Sequence, residues 1–84
     1  MTTRAERLLE TARISRHREF LKAQEEKYRL KSQYDYALKV NDALFYWSMQ
    51  LLSRTGAPFE RSFLHDTIQR YFYYLTQLNQ GGTA

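Results

Sequence analysis

Residues 4–54 read RAERLLETARISRHREFLKAQEEKYRLKSQYDYALKVNDALFYWSMQLLSR, fifty-one positions with no glycine and no proline. An uninterrupted run of this kind, carrying apolar side chains at helical spacing, predicts one very long helix or two nearly collinear ones. At 100° per residue, Ala5, Leu8, Leu9, Ala12, Phe20, Ala23, Leu30, Tyr34 and Ala37 share a face, and Leu44, Phe45 and Leu52 continue it. The rhythm is heptad-like, with small residues on the midline, as in helices that approach a neighbour closely or form a coiled coil. Arg16, Glu19, Glu26 and Lys27 intrude on the stripe in its first third.

The second half of the run differs. Between Tyr36 and Leu52 a further apolar line appears at Tyr36, Val40, Ala43 and Trp47, about a third of a turn or more from the first. A helix that is apolar on two faces packs against two neighbours. Two places could interrupt the run: residues 31–33, and Asn41–Asp42, whose side chains favour caps over helix interiors. The stripe passes Asn41–Asp42 without a change of phase, so continuity or a slight kink is the reading there.

The stop is at Thr55–Gly56–Ala57–Pro58. Gly suits the left-handed position after a helix, and Pro suits the first turn of the next. A connection this short makes its flanking helices antiparallel. The following helix, residues 58–80, aligns Leu64, Ile68, Tyr71, Leu75 and Leu78, and residues 81–84 (GGTA) read as a flexible tail. At the other end Thr2 or Thr3 is a candidate N-cap, with Thr3 and Glu6 at capping-box spacing. The chain of 84 residues thus reads as one all-α domain, an antiparallel helical hairpin or three-helix bundle on a long N-terminal helix. A helix over 58–80 covers the first run only back to about residues 31–35 by its length of roughly 33 Å. The remaining third then projects as an arm, pairs with a second copy, or folds back through a turn near Lys31–Gln33. So thin a core, about 60–65% of surface hidden for this length, favours an oligomer.

Composition narrows the functions. The net charge of +4 arises in residues 1–31, with nine basic and five acidic side chains, whereas residues 32–84 hold four of each. Aromatics are distributed in the opposite sense, Phe20 being the only one before Tyr28. There is no cysteine for a disulfide, a thiol nucleophile or a thiolate metal site. The start MTTRAERLLE has no continuous apolar segment, and nothing approaches a span of about 20 apolar residues, so a cytoplasmic chain without a membrane span is expected.

Catalytic and metal chemistry find no residues to carry them. His17 lies among cations in Arg16–His17–Arg18. His65 and Asp66 are adjacent and point about 100° apart, with Arg61 and Gln69 one turn to either side. No nucleophile is paired with a base, and no glycine-rich phosphate loop is present. A non-enzyme without cofactor or metal is expected.

The candidate sites are therefore surfaces. Tyr36, Val40, Ala43, Trp47 and Tyr73 form the predicted protein interface, aromatics with polar tips being enriched at such surfaces. Arg4, Arg7, Arg18, Lys22 and Arg29 fall near one line and are candidates for contacts with phosphates or an acidic partner. The function expected is a small protein–protein interaction or assembly protein, self-associating and acting as an adaptor, chaperone, or regulator or inhibitor of a larger complex, of the kind found among phage and bacterial accessory proteins. The alternative is a nucleic-acid-binding accessory protein using the basic N-terminal helix.

Overall fold

The computed structural model describes residues 3–82, apart from the side chains of 81 and 82, and is all-helical, with α1 (Arg4–Leu30), α2 (Tyr34–Thr55) and α3 (Pro58–Gly82). The predicted Thr3 cap is present as a full capping box: Thr3 Oγ1 accepts from the Glu6 backbone N–H and Glu6 accepts from that of Thr3. Thr2 and the last two residues of the predicted tail lie outside the described residues, and α3 runs two residues beyond the predicted limit of 80.

The long helix is divided at residues 31–33, and the chain reverses there. Gln33 N–H bonds to the Tyr28 carbonyl at 2.9 Å and Ser32 N–H to the Arg29 carbonyl at 3.0 Å. This pair of bonds is the Schellman pattern that closes helices, usually through a glycine in the left-handed conformation. Here Ser32 occupies that conformation, with φ of 56°. The left-handed position thus carries no glycine to mark it in the sequence. At the second turn Gly56 does what its sequence implied, with φ of 62° and its N–H on the Leu52 carbonyl.

Asn41 and Asp42 do not break α2. Asn41 is buried in the middle of it and its side chain amide donates in two directions, to Glu25 of α1 at 3.2 Å and to the Thr67 carbonyl of α3 at 3.0 Å. The residue that looked like a cap joins all three helices. Helices α1 and α3 both lie along α2, each antiparallel to it, in a body measuring 55 × 20 × 18 Å. They meet each other through long side chains.

The core inverts one sequence expectation. In α1 the buried line is Ile14, Arg18, Leu21 and Glu25, whereas Ala5, Leu8, Leu9, Ala12, Phe20, Ala23 and Leu30 face outward. The reversal at 31–33 explains this. A helical wheel extended across a turn has no meaning, and the stripe that continues into buried positions of α2 is not the core stripe of α1. In α2 the inner line is Ala37, Asn41, Leu44, Ser48 and Leu51. In α3 it is Glu60, Leu64, Thr67 and Tyr74, with Tyr71 and Leu75 half-buried and Ile68 and Leu78 exposed.

Charged residues therefore sit where apolar ones were expected. Arg18 and Glu60, both buried, form an ion pair between α1 and α3, and the Arg18 guanidinium also lies 4.7 Å from the centroid of the Phe63 ring. Seven residues along α1 the sign reverses. Glu25, only 3% exposed, accepts from Arg70 Nε at 2.6 Å, from the Tyr74 hydroxyl at 2.5 Å and from Asn41. Charged hydrogen bonds of this kind are stronger than neutral ones, and a carboxylate so supplied with donors tolerates burial. The alternation of sign also specifies register, because sliding α3 along α1 would bring like charges together.

Candidate interaction surfaces

The predicted interface line of α2 lies along α1. The Tyr36 ring stacks on Tyr28 of α1 with centroids 5.4 Å apart, and Trp47 meets His17 nearly perpendicular with centroids 5.2 Å apart. Val40, Ala43 and Trp47 are half-buried there, while Tyr36 keeps about half of its surface in solvent. The two apolar faces of α2 thus have two neighbours, and both belong to the same chain. Tyr73 is at a different place, on α3, where its ring packs against Tyr34 and Tyr74 at 5.9 Å from each. The Tyr34–Tyr73 contact shifts the two hydroxyls in opposite directions. Hydrogen bonds from Ser32 and then Tyr73 hold the Tyr34 hydroxyl below the usual tyrosine range, and the bond to Tyr34 raises that of Tyr73. Burial and the bond to Glu25 raise Tyr74 well above it.

The basic line is divided. Arg18 is a correction to the predicted phosphate contacts, since its guanidinium is buried against Glu60. Lys22 lies 3.5 Å from Glu19 and over the Phe63 ring, and Arg29 bonds Glu26 at 2.7 Å. Arg4 and Arg7 are exposed at the far end, lining with Arg54 a cleft of about 630 Å³ between α1 and α2. Arg54 itself bonds Glu10 at 2.7 Å and so pins the start of α1 to the end of α2.

Of the histidines, His17 is held between the rings of Phe20 and Trp47, and His65 is exposed with Asp66 4.0 Å away. No group of three metal-ligating side chains occurs among the described residues. No helix is long and apolar enough to cross a membrane, again among the described residues.

The surface that sequence reasoning missed lies between α2 and α3. Phe45, Ile68, Tyr71 and Phe72 line an apolar groove of about 190 Å³, with Asn41 and Asp42 at its edge. Phe72 is 58% exposed, and Ile68 is exposed beside it. Ile68 and Tyr71 align with Leu64 and Leu75 in the sequence, yet in the fold they line the groove. Sequence alone could not separate them, because a rotation of one position about the α3 axis exchanges the seam for its flank. Tyr46, Met49 and Phe59 are further large apolar side chains left exposed. Comparisons with family models, curated proteins and solved structures found no match, so function is argued from the chain's own geometry.

Proposed function

We propose that this chain is a small non-enzymatic interaction protein, an adaptor, chaperone or regulator that acts by presenting helical surfaces to a larger partner. The observation that carries this reading is the α2–α3 groove, where Phe45, Ile68, Tyr71 and Phe72 present an apolar trough with a polar edge. An amphipathic helix fits such a trough, its apolar side chains spaced at one and two turns. Contiguous apolar surface of this kind on a small protein marks an interaction site more often than chance exposure does. Asn41, at the edge of the groove, also bonds to Glu25, which holds Arg70 and Tyr74 of α3.

Ile68→Lys and Phe72→Lys test the reading. Neither side chain is buried, so circular dichroism is expected to stay unchanged while co-purifying protein is lost. Recovery of the same partners by wild type and both variants contradicts it.

A second reading, backbone contacts with nucleic acid, is supported by Arg4 and Arg7, which have no acidic partner among the described residues and face one cleft. A gel shift with DNA and RNA at about 50 mM salt decides it, phosphate binding being strongest at low salt. No shift there removes this reading.

A further inference from the structure

Among the described residues, the outward face of α1 is exposed along the whole helix. Leu8 is 62% and Leu30 70% exposed, and Leu9 and Phe20 are exposed between them. The face has a strict spacing of four and three along its length: Ala5, Leu9, Ala12, Arg16, Glu19, Ala23, Glu26 and Leu30. All eight are exposed, and they form one stripe about 40 Å long. Five of the eight are alanine or leucine, the kind of residue a helix turns toward another helix at this spacing, and Arg16, Glu19 and Glu26 lie among them. Here the stripe is turned away from its own chain.

We propose that this face binds the same face of a second copy, with the two α1 helices antiparallel about a two-fold axis between Arg16 and Glu19. The charge pattern selects this occupant and this orientation. Antiparallel pairing that superposes all eight positions sets Arg16 opposite the partner's Glu19, Ala12 opposite the partner's Ala23, and Ala5 opposite the partner's Leu30. Each contact occurs twice by symmetry. In the flanking rows Glu6 meets the partner's Lys27, and Arg13 lies over the partner's Phe20. Arg13, Arg16 and Lys27 have no acidic partner within the described chain. Glu26 falls opposite the partner's Leu9 with its carboxylate already turned to Arg29 at 2.7 Å, which leaves its methylenes for the leucine. Alanines at the paired positions let the helix axes approach closely. A parallel pairing would instead place Arg16 against Arg16 and Glu19 against Glu19.

This surface is separate from the α2–α3 groove, so either can fail without the other. The chain has no cysteine, which makes single-cysteine variants clean. Sedimentation equilibrium is run on wild type, Arg16→Glu, Glu19→Arg and the double reversal, with circular dichroism as a check on folding. Ala12→Cys and Ala23→Cys proteins are then treated with a short bis-maleimide, which alkylates one thiol at each end, alone and mixed. The expected result is a dimer weakened roughly tenfold or more by either single reversal and restored by the double. Cross-links are expected in the mixture only, since two copies of residue 12 lie about 16 Å apart along the paired helices. A monomer throughout the micromolar range overturns the proposal. So does a dimer that ignores the charge reversals, or one that cross-links in the unmixed proteins.

Discussion

Replacing Glu25 by alanine is the perturbation with the largest expected effect on a single side chain. Its carboxylate receives hydrogen bonds from Asn41, Arg70 and Tyr74, so one residue of α1 holds donors from α2 and α3. In the alanine variant the Tyr74 hydroxyl, on a fully buried residue, loses this acceptor, and the half-buried Arg70 loses its counter-charge. Breaking a buried ion pair from one side costs about 3–5 kcal/mol. A domain of this size has a total stability of roughly 4–12 kcal/mol. Glu25→Ala is therefore expected to leave the protein marginal or unfolded at room temperature. Glu25→Gln keeps the shape and an acceptor oxygen but loses the charge, and is expected to cost about 1.5–3 kcal/mol. Urea titrations followed by circular dichroism and by the fluorescence of Trp47, the only tryptophan, measure both. A cost under about 1 kcal/mol for Glu25→Ala would refute the reasoning, because removing one partner of a buried, hydrogen-bonded ion pair costs several times that.

The turns give opposite expectations for glycine. Ser32→Gly is expected to stabilise by about 0.5–1 kcal/mol, because a serine at φ of 56° bears a backbone strain that glycine lacks. Gly56→Ala is expected to destabilise by about 1 kcal/mol; nothing lies within 4 Å of the added carbon, so the whole cost is backbone. Tyr74 makes stability depend on alkaline pH. Its folded-state pKa is raised, so its contribution is complete below the ordinary tyrosine value of about 10 and is lost as pH rises from there toward the folded value. Tyr74→Phe is expected to be less stable than wild type near neutrality yet to lose less between about pH 9 and pH 11 in urea titrations. Equal losses in the two proteins contradict that assignment.

How far the sequence could be read depends on which residues did the work. The second turn was legible because Gly56 and Pro58 are the residues its geometry demands, and the start of α1 because Thr3 and Glu6 have the capping-box spacing. The first turn was visible only as one of several possibilities. Its left-handed position holds Ser32, and backbone hydrogen bonds rather than residue type close the helix. From that one ambiguity followed the inverted face of α1. Its true inner line includes Arg18 and Glu25, which periodicity arguments assign to solvent, and their partners Glu60, Arg70 and Tyr74 lie 42 to 49 residues away. No local pattern reports a charge pair at that separation. The second apolar line of α2 reads in the sequence as an interface for self-association, and in the fold Tyr36 and Trp47 on it meet Tyr28 and His17 of α1.

The basic N-terminal third folds back along α2, so that Arg7 and Ser53 line one cleft. Spin labels at Arg7→Cys and Ser53→Cys measure this directly, in labelled protein diluted with an excess of unlabelled chain so that only distances within one molecule are read. The bundle predicts a separation of roughly 10–20 Å, set by helices packed 8–10 Å apart. A continuous helix from Arg4 to Arg54 would place the same two labels about 69 Å apart, and a distribution centred there would contradict the fold and every surface assigned on it.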